Sequence, residues 1–162
     1  MREIEQLLAV AKHYIAEASK IVEANPGLRS MTIGQVSSHH RAQSLSPAGL
    51  ALAHYGSAAV RMVTLCEIAK SQPNDNYRKR FYDRSGNRKA GWSLSRIKAN
   101  IAARPEEHLH FLLRDNIAHE EQGGAWTQRV AADRSAVLKI TTIDTCDNAL
   151  KKIARGLKKS SP

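Results

Sequence analysis

The 162-residue sequence has little of what several protein classes require. Its only two cysteines, Cys66 and Cys146, lie far apart and match no metal or redox spacing, which excludes a disulfide scaffold and predicts a reducing, cytoplasmic setting. No apolar run approaches the roughly 20 residues that a membrane-spanning helix needs. Because Glu3 and Glu5 interrupt the first apolar stretch, we expect no signal peptide, and we expect no membrane partner.

Patterns for nucleotides, metals and cofactors are also missing. There is neither a phosphate-binding loop nor a dinucleotide-binding glycine motif, so chemistry driven by nucleoside triphosphates has no support. His39 and His40 have no acidic or cysteine partner at the spacing of metal ligands, which favours a polar loop. We therefore expect no metal and no cofactor.

Positive charge is abundant, with 25 Lys and Arg against 15 Asp and Glu, a formal charge of +10 and a sequence pI near 10.0. Such a balance points to a polyanionic partner, most simply nucleic acid. The charge concentrates in residues 77–104, where aromatic residues are interleaved and Asp83 is the only acid. The candidate nucleic-acid-binding residues there are Arg78, Lys79, Arg80, Arg84, Arg88, Lys89 and Trp92. Cations would neutralise phosphates, and aromatic rings such as Tyr82 would stack on unpaired bases.

Hydrophobic spacing predicts an all-α, up-and-down bundle of about five helices in a single domain, 1–162, with a basic insert or loop at about 72–93. The expected helices cover residues 2–24, 47–70, 92–103, 105–122 and 145–157. The first and last have apolar stripes at helical spacing: Ile4, Leu8, Ala11, Ile15, Ala18 and Val22 in the first, and Cys146, Leu150, Ile153 and Leu157 in the last. Residues 30–45 are compatible with either a short helix or a loop, and β-branched residues in 137–143 favour a short extended piece. Along the second helix, Leu50, Ala53, Val60, Val63 and Ile68 supply apolar positions.

The stretch 112–119 concentrates chemically useful residues on one predicted helix. Its apolar face, which includes Leu112 and Leu113, should meet the core, while Phe111, Arg114 and Asp115 follow a second face that a subunit interface could cover. RNA cleavage without a metal needs a proton acceptor, a proton donor and a cation at the phosphate. His119 titrates near working pH, Arg114 offers a permanent phosphate contact, and Asp115 could orient His119.

The segment Leu113-Arg114-Asp115-x-x-Ala118-His119 resembles the Arg-x4-His signature of the HEPN superfamily, especially its abortive-infection-type members. The resemblance implies an all-α homodimer and a metal-independent ribonuclease with its site at the dimer interface. Arg114 would contact the scissile phosphate, His119 would act as general base or acid, and Asp115 would support them. The setting that it suggests is a toxin or phage-defence component with RNA as substrate and an antitoxin protein as partner.

Other interpretations stay open. The same residues fit a non-catalytic nucleic-acid-binding helical module, or an interaction unit whose basic face meets an acidic protein. Arg114, Asp115 and His119 could also be an ordinary surface cluster. Residues 32–38 faintly resemble the first half of a helix-turn-helix, but the expected turn glycine is missing. His54 and Tyr55 fit a core or interface pair better than a site, and Cys66 fits a small buried hydrophobe.

Overall fold

The structure is a computed structural model that describes residues 2–36, 46–71, 78–79, 82–85, 105–107, 109–114 and 139–160. It is a predominantly helical bundle, which confirms the predicted all-α class. Its long helices are α1 (Arg2–Ala24), α2 (Pro47–Lys70) and α3 (Ile143–Ser160), and Pro26–Ser30 and Pro105–Glu107 form short 3-10 helices. In the part of the chain that the structure describes, no helix is long and apolar enough to cross a membrane.

Helix α1 follows its sequence pattern closely. The predicted stripe is buried in full: Ile4, Leu8, Ala11, Ile15, Ala18 and Val22. These positions recur every three or four residues, so one side of the helix removes apolar surface from water against the rest of the bundle. The helix ends at Ala24, where Asn25 and Pro26 interrupt the helical pattern and a 3-10 turn follows.

Helix α2 begins where Ser46 and Pro47 predict, because the Ser46 side chain accepts a hydrogen bond from the backbone N–H of Gly49. Its burial differs from the predicted pattern. Val63 is buried, but Leu50 is 38% exposed and Ala53 is also exposed. The buried side is instead broad and built largely of small residues: Ala48, Gly49, Ala51, Gly56, Ala58, Ala59 and Ala69. These small side chains let the neighbouring helices approach α2 closely. Because the buried side is broad, it does not appear as a narrow apolar stripe.

Helix α3 runs back along α1. The 3-10 turn after α1 meets the beginning of α3, where Arg29 pairs with Asp144 at 2.9 Å, and Ser19 further back in α1 contacts Asp147. The predicted stripe of α3 is confirmed, since Cys146, Leu150, Ile153 and Leu157 are all fully buried. The helix is therefore held between α1 and α2 by its apolar side.

Backbone hydrogen bonds join residues 32–33 to residues 141–142 beside α3. Thr32 and Thr142 form an isolated antiparallel bridge, and Ile33 N–H donates to the carbonyl of Thr141 at 2.9 Å. Gly34 packs closely against Lys139 here. A Cβ at position 34 would come within 2.9 Å of the Lys139 side chain and 3.1 Å of the Lys139 Cα, so only glycine fits without a shift. The extended piece predicted at 137–143 is thus shorter than expected: residues 139–140 form a turn, and α3 already begins at Ile143.

Several predicted elements can be placed only in part. Residues 33–36 are helical, which favours the short-helix alternative for that portion of 30–45, while 37–45 lie outside the described residues. The helix predicted from Pro105 begins as a 3-10 turn, and 109–114 are helical. The predicted helix 92–103 lies outside the described residues, as does most of the basic insert at 72–93.

Candidate functional site

Arg114 is the one residue of the predicted catalytic set that the structure places. It is half-buried on the described helical stretch 109–114, in which Leu112 and Leu113 are buried as predicted and Leu109 is buried as well. The backbone that carries Arg114 is thereby anchored in the core. Asp115 and His119 lie outside the described residues, so their positions relative to Arg114 stay predictions.

The second face of this helix is not an open surface over the described turns. Phe111 is only 4% exposed, and the neighbouring His110 is fully buried with its ring centroid 4.2 Å from that of Phe111. The expectation that Phe111 lines a contact surface for another subunit is therefore wrong, because its own chain already covers it.

The basic helix α3 adjoins the element that leads to Arg114. Lys152 donates a hydrogen bond to Glu106 at 2.6 Å, which ties the middle of α3 to the 3-10 turn Pro105–Glu107. Lys152, Arg155 and Lys158 all lie on the exposed side of α3. No Asp or Glu follows Asp147 in the sequence, so the part of α3 beyond Lys152 carries the exposed cations Arg155 and Lys158 with no acidic residue on the same stretch. Cations near a helix C-terminus also interact favourably with its macrodipole.

Among the described basic residues of 77–104, one makes contacts within the fold and two are exposed. Arg78 donates to the carbonyls of Lys70 and Arg84, both at 3.1 Å, so it joins the end of α2 to the segment beyond it. Lys79 and Arg84 are exposed and remain compatible with phosphate contacts. The other four predicted contacts, Arg80, Arg88, Lys89 and Trp92, lie outside the described residues.

Tyr82 does not serve as a stacking platform for bases. It is 2% exposed, its hydroxyl donates to Glu67 at 2.7 Å, and the Lys70 ammonium lies 5.1 Å from its ring centroid. The prediction of an open aromatic face is wrong at this position, because Tyr82 is buried and its contacts hold residues 82–85 against α2.

A buried polar cluster at Asp147 is the feature that the sequence reasoning missed. Asp147 on α3 is only 3% exposed, and it accepts hydrogen bonds from three side chains. Ser19 of α1 donates to its Oδ1 at 2.6 Å and Tyr55 of α2 donates to the same oxygen at 2.7 Å. Lys151, one turn along α3, donates to Oδ2 at 2.8 Å. One carboxylate thus connects all three long helices.

The cluster is held in its ionised form. Burial alone would raise the pKa of Asp147, but the hydrogen bonds from Lys151, Ser19 and Tyr55 and the charge of Lys151 hold that pKa below its usual value. Burial, together with the adjacent carboxylate, raises the pKa of Tyr55 far above its usual range, and burial does the same for Cys146. Tyr55 and Cys146 therefore stay protonated, which makes the Tyr55 hydroxyl a hydrogen-bond donor and the Cys146 thiol a weak nucleophile.

A signal for this cluster was present in the sequence. Asp147 lies four residues after Ile143 and three before Leu150, both of which are buried, so it occupies a core position of α3. A carboxylate at such a position requires partners. Tyr55, expected at a core or interface position, is fully buried in the core, and Cys66 is buried as expected.

Within the described ranges, no three His, Cys, Asp or Glu side chains come together as a metal site would require. Comparison of the chain with protein-family models, with curated proteins and with solved structures finds no match.

Proposed function

We propose that the protein is a metal-independent RNA endonuclease of the HEPN type that acts as a homodimer. The observation that carries the proposal is the position of Arg114, half-buried on a core-anchored helical stretch. A permanently charged guanidinium on a fixed backbone suits the recognition of a phosphate group. The resemblance of residues 113–119 to the Arg-x4-His signature supplies the rest of the set, His119 and Asp115.

The chemistry assigned to these residues is transesterification within the RNA strand. A general base removes the proton of a ribose 2′-OH, and the 2′-oxygen attacks the neighbouring phosphorus. The bond to the 5′-oxygen breaks, that oxygen takes a proton from a general acid, and a 2′,3′-cyclic phosphate remains. His119 serves as base or acid, Asp115 orients it, and Arg114 stabilises the charge that develops on the phosphate. Two subunits would bring two copies of this set to one cleft.

The basic side of α3 is the surface proposed to hold the RNA strand. The contact between Lys152 and Glu106 joins this side of α3 to the element that leads to Arg114. The cations proposed to bind RNA and the arginine proposed to assist cleavage therefore lie on neighbouring elements. An RNA backbone that binds cations releases counterions, which provides affinity without base recognition.

Cleavage of RNA in the presence of EDTA tests the proposal. The parent protein is expected to leave 2′,3′-cyclic phosphate ends, and Arg114→Ala and His119→Ala are each expected to lower the rate by a factor on the order of 10² or more. Arg29→Gln is a matched control, because Arg29 is already paired with Asp144. If folded Arg114→Ala and His119→Ala proteins cleave at the parent's rate, the proposal is wrong.

A second candidate, a nucleic-acid-binding module without catalysis, is favoured by the exposed cations of α3 taken alone. Arg155 and Lys158 are exposed, and no Asp or Glu follows Asp147 in the sequence. Salt-sensitive RNA or DNA binding without cleavage by the parent protein would favour this module over the nuclease.

A further inference from the structure

A group of donor side chains lies outside the regions considered above, where α1 and α2 meet at the surface. Tyr14 of α1 is at its centre and is half-buried. The His54 ring of α2 stacks on it, with centroids 5.9 Å apart and planes inclined by 29°. The His13 ring meets Tyr14 edge-on at 5.6 Å, and the Arg61 guanidinium carbon lies 5.2 Å from the Tyr14 centroid.

Arg61 has no carboxylate partner among the described residues. Its guanidinium donates one hydrogen bond, to the carbonyl of Ser57 at 3.3 Å, and lies beside the Tyr14 ring. A guanidinium has five N–H donors, so most of them are left for a ligand. The aromatic contact and the bond to Ser57 restrict the side chain, and a restricted arginine loses less freedom when it binds an anion.

The neighbouring side chains add donors. In the described part of the chain, neither His13 nor His54 has a hydrogen-bond partner, and the Tyr14 hydroxyl has none either. Imidazole and phenol groups can all donate to oxygen. Tyr14 thus supports three side chains that can donate hydrogen bonds and carries a fourth donor itself.

One carboxylate lies close to this group, and it is already engaged. Glu17 accepts a hydrogen bond from Lys20 at 3.0 Å. That bond and the charge of Lys20 lower the pKa of Glu17, and the charges of His13 and His54 add smaller effects in the same direction. Lys20 offsets the Glu17 charge, so the positive charge of Arg61 leaves the surface attractive to an anion.

We propose that Arg61, His54, Tyr14 and His13 form a phosphate-binding site at the surface junction of α1 and α2. Its ligand is a phosphate group, either free or in the backbone of an RNA strand. A tetrahedral anion with several acceptor oxygens suits a group that combines guanidinium, imidazole and phenol donors around the Tyr14 ring. The site stands on contacts within α1 and α2 and does not depend on Arg114, His119 or any cleavage activity.

Nuclear magnetic resonance of the full chain tests this site with two probes. The histidine ring signals of His13 and His54 are followed while inorganic phosphate is added, with chloride at equal ionic strength as the reference. The titration is repeated with a six-nucleotide oligouridine RNA. We expect saturable shifts of these signals; a response to inorganic phosphate identifies a site for the free anion, and a response to RNA alone identifies a backbone site.

Three variants make the result decisive. Arg61→Ala is expected to weaken binding about tenfold, the effect of losing one strong charged contact. Glu17→Gln is expected to tighten binding because it removes the nearby negative charge. Arg29→Ala is the matched arginine control, because Arg29 pairs with Asp144 away from this junction, and it should leave the His13 and His54 responses unchanged. The proposal is overturned if neither probe moves these signals, if Arg61→Ala binds like the parent, or if Glu17→Gln weakens binding.

Discussion

The two sides of α3 hold charge in opposite ways. On the buried side, Asp147 is surrounded by donors at 2.6–2.8 Å from α1, α2 and its own helix. On the exposed side, Arg155 and Lys158 remain in water. A buried charge needs partners, because its transfer out of water costs roughly several kcal/mol and only those partners offset that cost. A solvated charge bears no such cost and stays free to bind a ligand. The buried charge of α3 therefore stabilises the fold, whereas the charges on its exposed side remain available to a ligand.

The largest expected effect comes from removing the buried carboxylate. Asp147→Ala leaves the hydroxyls of Ser19 and Tyr55 without an acceptor in the core. Since each unsatisfied buried group costs about 1–3 kcal/mol, we expect a loss of about 3 kcal/mol in the free energy of unfolding. Urea unfolding followed by circular dichroism measures it.

Asp144→Ala is the matched control for this substitution. Asp144 lies one turn earlier on α3, but its side chain is 47% exposed and its partner Arg29 is 42% exposed. An exposed ion pair contributes about 0–1 kcal/mol, so the loss should be correspondingly small. Equal losses in the two variants would show that the two sides of α3 do not differ as the structure indicates.

A smaller effect is expected from pH. The folded protein holds the pKa of Asp147 below its usual value of 3.8, so the carboxylate binds protons more readily when the chain is unfolded. The stability that this gives is complete well above pH 3.8 and is lost as the pH falls toward the lower pKa of the folded protein. Protonation keeps the side chain's volume, so the loss should be less than that of Asp147→Ala.

Asp147→Asn checks the assignment of this pH dependence. The amide cannot titrate, so the free energy of unfolding of this variant should fall less steeply between pH 5 and about pH 2 than that of the parent. Parallel pH profiles for the two proteins would assign the acid sensitivity to other carboxylates.

The local parts of the fold were predictable from sequence, and the long-range parts were not. The stripes of α1 and α3 follow helical spacing, and Ser46 with Pro47 marks the beginning of α2 through backbone chemistry that needs no distant partner. The inward side of α2 was predicted only in part, because alanine and glycine make up much of it and their burial leaves a weak hydrophobic pattern. Met62 and Leu65 are buried there as well, whereas Leu50, one of the expected apolar positions, is exposed.

The candidate sites show the same division. The sequence identifies Arg114 by residue type, but it cannot show that Tyr82 is covered or that Arg78 donates to two carbonyls. The Asp147 cluster joins residues 128 and 92 positions apart. Periodicity reports which side of a helix is inward, whereas the partner met there depends on how separate helices pack.

The smallest effect on stability is expected from the exposed side of α3, in the double substitution Arg155→Gln and Lys158→Gln. Neither side chain has a described partner and both are solvated, so the free energy of unfolding should change by no more than about 0.5 kcal/mol. Binding of RNA should change clearly. Each phosphate contact to a single strand contributes about 0.7 to the slope of log affinity against log salt, so losing two should flatten that slope by about 1.4.

Lys139→Gln is the control for this binding measurement, because it removes one exposed cation from the turn before α3 and leaves the helix itself intact. It should bind RNA nearly as the parent does across the salt series. A double variant that keeps the parent's slope would remove α3 as the RNA-binding surface, whereas one that unfolds more easily would show that these cations stabilise the bundle. An unchanged unfolding curve together with a flatter salt slope is the result that assigns the two sides of α3 to different tasks.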